Sequence, residues 1–540
     1  MKTVLTAINA RYSHSSLAIR YLKAYNSQFD IELAEFSIND RLGDMYAELC
    51  ERNAQVYCFS CYIWNIEMTL KLAQMVKCAL PHVHIVLGGP EAGYNAEKLL
   101  LQYDFITCIL HGEGEITLGE LLKAVQEGKC LKGIPGVVTQ NGKFVPRPPM
   151  ELDTVVFPYT REDIESLKNK LIYFETSRGC PFNCAYCLSA AEHKVRFFSL
   201  EYVKQGLLTF FEMEVPLIKL VDRTFNCNAK RAEEIVRFIL AHSKKTCVHM
   251  EVEPQILTDD FILLLSSAPK GMFQLEIGVQ STNSKTLESV GRGWNAERAE
   301  RNIRRLVEAG NMHIHLDLIA GLPFEDMQSF RKSFNDVYAL RPQMLQLGFL
   351  KVLSGTPIEE FKGITAVDFP PYEVIATQWL SYQEILHLKE IEEAVELFYN
   401  SGIFARTIAV LTEEKAFEKF EELGALYKEQ TRMGKVKRQN WYTILYEKYG
   451  DHIWKALVED FLLHNQNWPM PAFSRPVRPE GFQKRVTALL RNEYFRKVFQ
   501  IENDPQKIRF EYADGICYMV DYNRKILFDI TSVYEDVKLI

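Results

Sequence analysis

Short apolar runs alternate with amphipathic stretches over residues 1–135. Runs at 3–8, 31–36, 56–62, 84–87 and 105–110 read as strands, and segments such as 66–80 carry apolar residues at helical spacing. Strands alternating with helices predict an α/β domain with helices on both faces of a parallel sheet, doubly wound and Rossmann-like. A hairpin is expected at 136–145, with Asn141-Gly142 at its turn. The Pro-rich stretch that follows reads as a linker.

A second alternating series begins near residue 171. Its candidate strands are 172–176, 217–221, 248–252, 273–277, 314–319 and 344–349, with helical periodicity strongest at 231–243 and 296–310. Six strand–helix units predict a partial (β/α)6 barrel of the TIM type. Beyond residue 365 the pattern changes to long helices at 372–400 and 413–430 and a small antiparallel piece at 508–520 and 526–530. The expected layout is a first domain over 1–145, a linker over 146–165, a barrel over 166–362 and a mainly helical extension over 363–540.

Composition narrows the class. A chain of 540 residues exceeds one ordinary core, so several domains are needed. The net charge of −7 speaks against electrostatic capture of nucleic acid, which is not an expected partner. No apolar run approaches the roughly 20 residues that span a bilayer, and the first residues lack a signal-peptide core, so a cytoplasmic protein is expected. There the twelve cysteines read as thiols, not as a disulfide framework. Nine are scattered, several of them in apolar segments; Cys180, Cys184 and Cys187 cluster.

The stretch Glu175-Thr-Ser-Arg-Gly-Cys180-Pro-Phe-Asn-Cys184-Ala-Tyr-Cys187 directly follows the first strand of the second series. Three thiolates at this spacing can wrap one 4Fe–4S cube, and since full ligation takes four, one iron is left open. The alternatives are a structural zinc site, which normally takes four Cys/His ligands in paired short spacings, or three core cysteines.

The motif Cys180-x-x-x-Cys184-x-Tyr186-Cys187 resembles the signature of the radical S-adenosylmethionine (SAM) superfamily. The resemblance covers roughly residues 170–360 and implies a 4Fe–4S cluster bound by the three cysteines, with SAM bound at the open iron and Tyr186 near its adenine. Gly278-Val279-Gln280-Ser281 with Gly291-Arg292-Gly293 resembles the fourth-strand segment, which implies that Gln280, Ser281 and Arg292 help hold SAM. Asp317-Leu-Ile-Ala-Gly321-Leu-Pro323 resembles the fifth-strand segment shaping the adenine pocket, and Ser354-Gly355-Thr356-Pro357 the turn after the sixth strand. Many members end their second strand in Gly-Gly-Glu; here Asp222-Arg223-Thr224 stands there, and Asp222 is expected to accept from the SAM ammonium. Glu251 or Glu253 is expected to meet the ribose.

In the first domain three loops follow strands: Ser60-Cys61-Tyr62-Ile63-Trp64-Asn65, Gly88-Gly89-Pro90-Glu91 and His111-Gly112-Glu113-Gly114-Glu115. Their glycines permit close backbone approach to a ligand at the carboxyl ends of a doubly wound sheet, or make ordinary tight turns. Together the loops resemble the cobalamin-binding domain that precedes the barrel in one radical SAM branch. The expected cofactor contacts are Ser60, Trp64, Gly88, Gly89, Glu91, Gly112, Glu113 and Gly114. His111 lacks the Asp that orients an axial histidine in other cobalamin domains and is not assigned that role.

The resemblance implies a cobalamin-dependent enzyme whose branch most often methylates an unreactive centre. Rearrangement or cyclisation without methyl transfer, a barrel without functional cobalamin, and a corrinoid or redox sensor are the alternatives. The implied partners are a small-molecule or peptide substrate and an electron donor such as flavodoxin or ferredoxin.

Overall fold

The computed structural model describes residues 1–191, 194–432, 434–501 and 507–536. Six strands, β1 (Lys2–Asn9), β2 (Asp30–Ser37), β3 (Val56–Ser60), β4 (His84–Gly88), β5 (Cys108–Leu110) and β6 (Val137–Val138), form a first sheet in the order β2-β1-β3-β4-β5-β6. The first five are parallel and β6 is antiparallel to β5. Both faces are covered. In β4, Ile85 and Leu87 join a core with Leu72 and Leu99, while Val86 joins another with Leu5 and Leu118. Burial on both faces explains why these strands read as continuous apolar runs. The chain order reverses between β1 and β3, which opens a crevice at their carboxyl ends.

The expected hairpin at 136–145 is not a paired two-strand unit. Only Val137 and Val138 join a ladder, and it is the ladder with β5. The return is a single contact from the Gly136 amide to the Val145 carbonyl, because Pro146 and Pro148 bar a continuing strand.

The second sheet starts at β7 (Ile172–Phe174). A two-stranded pair, β8 (Ser177–Arg178) with β9 (Arg196–Phe197), frames the cysteine loop. Then come β10 (Leu217–Leu220), β11 (Cys247–Glu251), β12 (Phe273–Gln280), β13 (His313–Ala320) and β14 (Met344–Phe349), all parallel in the order β14-β13-β12-β11-β10-β7. This is the expected six-unit partial barrel. Along β12 the apolar Phe273, Leu275, Ile277 and Val279 are buried, while Gln274, Glu276, Gly278 and Gln280 alternate onto the other face.

The two α/β domains form one compact body with residues up to 385. The Leu171 amide donates to the Ser13 carbonyl at 2.7 Å, Ser15 Oγ donates to the Leu171 carbonyl at 2.7 Å, and Tyr173 Oη lies 3.2 Å from His14 Nδ1. The loop after β1 thus grips the first strand of the barrel. Residues 372–377, expected to open a long helix, instead contribute β16 (Val374–Thr377), antiparallel to β15 (Ile364–Ala366). Val374 buries itself against Gly321. The helix begins at Tyr382.

The second body, residues 386–540, is mainly helical. Helices Ala405–Leu411, Asn440–Tyr449 and Trp454–His464 bring Phe404, Tyr442 and Phe461 into ring contact. A three-stranded antiparallel sheet follows, β17 (Ile508–Ala513), β18 (Ile516–Asp521) and β19 (Ile526–Asp529). Among the described residues no helix is long and apolar enough to cross a membrane.

Candidate active site

The cysteine loop is fixed by neighbours on three sides. The Ala185 amide donates to the Val290 carbonyl at 2.8 Å, and the Ile358 amide donates to the Ala185 carbonyl at 2.9 Å. Gly291 comes so close that a Cβ there would stand 2.9 Å from the Asn183 carbonyl oxygen. Val290 and Gly291, at the segment read above as a SAM-site motif, and Ile358, just after the 354–357 turn, therefore brace this loop. Cys180 and Cys184 are buried and Cys187 half-buried, all as free thiols. Burial pushes the Cys180 thiol up, with Thr224 Oγ1 3.6 Å from its sulfur. Arg292 Nη1 donates to Cys184 Sγ at 3.7 Å. Three cysteine sulfurs on one loop, two of them buried, with a guanidinium beside Cys184 form a donor set that fits an iron–sulfur cluster, whose iron supplies the charge that keeps thiolates ionised.

Arg292 also donates through Nη2 to Glu253 Oε2 at 2.8 Å and to the Gly278 carbonyl. Burial works against the charge of Arg292, but Tyr186, Glu253 and Cys184 together outweigh it and keep the guanidinium charged. Gln280 sits at φ +70° and folds back over Gly278, where a Cβ would stand 2.1 Å from Gln280 Nε2. Its Oε1 is buried without a protein partner. An orphaned acceptor beside the Arg292–Glu253 pair at the sheet's carboxyl end fits a polar cofactor such as SAM. Tyr186 packs near Arg292 and Cys184, and burial drives its hydroxyl well above the usual tyrosine range.

Other expected SAM contacts are placed differently. Asp222 is buried, and its two oxygens accept from the Thr176 amide at 3.0 Å, from Thr176 Oγ1 at 2.6 Å and from Ser177 Oγ. Ser281 is wholly buried, with Oγ donating to Glu325 Oε1 at 2.6 Å. Gly321, at φ +90°, leaves the space that Val374 fills. Glu251 is one of several ionisable groups on the inner face, and burial, then Glu276, pushes its carboxyl up to about 7. Nearby, Glu276, His315 and Asp317 bring ligand-type atoms within 4.8 Å of one another. Lys219 Nζ at 3.0 Å and His249 Nε2 at 3.2 Å already engage Glu276, so this group reads as an internally neutralised ion network.

A cavity of about 670 Å³ lies between the first domain and the barrel. Ser60, Tyr62, Trp64, Gly88, Gly89, Gly112, Glu113 and Gly114 line one side; Tyr173, Glu175, Arg178, Gly179 and Arg223 line the other. Trp64 is not a core aromatic. It is 45% exposed, stacks on Tyr62 with ring centroids 4.3 Å apart, and donates through Nε1 to the Ile8 carbonyl at 3.2 Å. Gly112, at φ +81°, has nothing within 4 Å of where a Cβ would stand. A broad aromatic surface and an open glycine cradle fit a large ring cofactor such as a corrin.

The acidic members of these loops meet protein groups. Glu91 Oε1 accepts from Tyr372 Oη. Glu113 accepts from Arg178, from Arg196 and from the Met150 amide at 3.0, 2.7 and 2.7 Å. Arg178, Arg196 and Tyr372 had no assigned role in the sequence, because each partner is remote along the chain.

Residues 174–337 match the Radical SAM superfamily, 3–122 the B12 binding domain, and 360–513 a family of proteins of unknown function, DUF4080. The chain thus carries a radical SAM domain with a B12 binding domain ahead of it. These domains imply a 4Fe–4S cluster, SAM and cobalamin as cofactors. It is 26% identical over 308 residues to the 2-(S-pantetheinyl)-carbapenam-3-carboxylate methyltransferase of Streptantibioticus cattleyicolor, covering 51% of this chain and 44% of that protein. It is 25% identical over 326 residues to the cobalamin-dependent radical SAM methyltransferase TokK of Streptomyces tokunonensis, covering 56% and 48%. The chain thus spans about half the length of these relatives. In fold it resembles the radical SAM methyltransferase TsrM of Kitasatospora setae (TM-score 0.58, 18% identity, 69% of this chain and 82% of that one). It also resembles the cobalamin-dependent SAM radical enzyme OxsB (TM-score 0.57, 16% identity, 93% and 82%).

Proposed function

We propose that the chain is a cobalamin-dependent radical SAM methyltransferase acting on an unreactive centre of a small-molecule or peptide substrate. The observation that carries this reading is the cavity. It is walled by Trp64 and the glycine loops on one side and by Arg178-Gly179, the residues just before Cys180, on the other. One cavity therefore adjoins both cofactor loops.

When bound, the cluster with SAM supplies a carbon radical and cobalamin a methyl carrier. The chain's own residues hold these groups. Cys180, Cys184 and Cys187 would hold the cluster, and Arg292, Glu253 and Gln280 would hold SAM. The Tyr62–Trp64 stack forms an aromatic part of one wall of the cavity. Glu251, with its carboxyl at about 7, can keep a proton inside the barrel at neutral pH. The reductant is a one-electron carrier of the flavodoxin or ferredoxin class, and the setting is the cytoplasm.

The test is anaerobic purification and reconstitution with iron and sulfide, followed by reductant, SAM and hydroxocobalamin. Bound corrinoid in the visible spectrum with 5′-deoxyadenosine and S-adenosylhomocysteine among the products is the expected result. A cluster that forms while SAM stays intact under every reductant would favour a sensor instead. 5′-Deoxyadenosine from protein that retains no corrinoid would leave a radical SAM enzyme without the methyl carrier.

A further inference from the structure

We propose that Arg178 is a positioning residue that locks the cluster loop to the wall of the corrinoid cavity, with Glu113 and Glu115 serving as its receptors. This rests on the two-cofactor reading above.

Arg178 lies two residues before Cys180, and its three guanidinium nitrogens each have a different carboxylate. Nε donates to Glu175 at 2.9 Å, Nη1 to Glu113 at 3.0 Å and Nη2 to Glu115 at 2.6 Å. Glu175 directly follows the first barrel strand; Glu113 and Glu115 follow β5 in the other domain. The side chain of Glu115 is 5% exposed and that of Arg178 13%. The guanidinium also lies over the rings of Tyr21 and Phe198, at 5.3 and 5.8 Å from their centroids. Burial alone would make Arg178 easier to deprotonate; the three carboxylates overcome this and keep it charged. Arg196 on β9 supplies the second cation, donating to Glu113 at 2.7 Å and to the Met150 carbonyl at 2.9 Å.

A planar fork satisfied on all three edges has one orientation, unlike a lysine ammonium. Gly179 at φ +90° and Cys180 come directly after it, while Gly112, open to the cavity, comes directly before Glu113. The chain has therefore placed one rigid ionic joint between the loop for the cluster and the loop for the ring. The acidic residues of the His111–Glu115 motif serve that joint, and its glycines face the cavity.

Hydrogen–deuterium exchange on the cofactor-free full chain tests the joint directly. In Arg178→Gln, amides 112–118 and the cluster-loop amides of Thr176, Ala185 and Cys187 should exchange together, about tenfold faster or more, because Glu115 and Glu175 lose their cation and Glu113 keeps only Arg196. Arg178→Lys should recover the charge but not the fork, and should fall between the two. Arg196→Gln serves as the comparison: it should loosen 112–114 while leaving Ala185 and Cys187 protected. Unchanged exchange at Ala185 and Cys187 in both Arg178 variants would overturn the proposal. In reconstituted protein, magnetic coupling between the reduced cluster and cob(II)alamin should be single-valued in the native chain and broadened in Arg178→Lys. A coupling identical in the two would also overturn it. A native chain that binds no corrinoid would defeat the functional reading alone, since the exchange result stands without any cofactor.

Discussion

Arg292 donates to Glu253 at 2.8 Å, and its other terminal nitrogen reaches the sulfur of Cys184. One guanidinium thus couples the end of the third barrel strand to the cluster loop, and the Gly278 carbonyl fixes its plane.

Arg292→Lys should leave the fold intact but break that coupling. A lysine ammonium has no fork with which to satisfy a carboxylate, a carbonyl and a sulfur together. Iron content after reconstitution should stay near that of the native chain. 5′-Deoxyadenosine formation should fall by at least about tenfold, the effect of losing roughly 1.5–3 kcal/mol from a charge-assisted hydrogen bond. Unchanged turnover would remove Arg292 from the SAM site.

Asp222→Asn asks a different question, because the three donors to Asp222 all come from Thr176 and Ser177, just before the cluster loop. An asparagine offers one acceptor oxygen and turns a donor toward the Thr176 amide. The expected cost is about 2–4 kcal/mol, as for other buried networks that lose one charged partner. It should appear as a lower melting temperature of the cofactor-free chain and as reduced iron retention. If Asp222 instead touched only SAM, the cofactor-free melting temperature would not move.

These two residues mark what could be read in the sequence and what could not. The strands of both sheets were legible because each is buried on at least one face and so leaves a local apolar pattern. The cysteine loop was legible because its spacing falls within eight residues. The partners of Asp222 lie about 46 positions away, those of Glu113 and Glu115 in Arg178 about 63 to 65, and that of Glu91 281. A salt bridge across such distances imposes no periodicity on either segment. Glu91 and Glu113 therefore read as cofactor contacts in the sequence, whereas the fold brings a tyrosine hydroxyl to Glu91 and two cations to Glu113. β16 was missed for a related reason: its seat on Gly321 is non-local.

Glu325 gives a pH prediction. It is fully buried, its Oε1 accepts from Ser281 and Ser333, and its Oε2 has no partner. Burial raises its carboxyl from 4.5 to about 7. The folded state therefore binds the proton more tightly than the unfolded state does. The stability this contributes is complete below pH 4.5 and is lost as the pH rises through 7. Glu325→Gln, neutral at every pH, should be close to native at pH 5 and more stable at pH 8. The gain should be on the order of 1–3 kcal/mol, read from urea unfolding at the two pH values. A loss of stability at pH 8 would show that the ionised carboxylate is tolerated.

The two cavity glycines separate a folding role from a binding role. A Cβ at Gly89 would stand 2.6 Å from the Cys61 carbonyl oxygen, and φ is +96°. Gly89→Ala must therefore move the 60–65 loop, whose backbone is already tied to Gly88 by the Cys61 amide at 2.7 Å. The expected result is a loss of about 2 kcal/mol or more together with weakened corrinoid binding. At Gly112 the conformation is equally left-handed, φ +81°, but nothing lies within 4 Å. Gly112→Ala should cost only the backbone strain, about 1 kcal/mol, while placing a methyl group in the cavity. Its melting temperature should stay close to native and its hydroxocobalamin retention after gel filtration should drop several-fold. If Gly112→Ala retains corrinoid like the native chain, the ring does not approach this loop, and the Trp64 wall alone would have to carry its recognition.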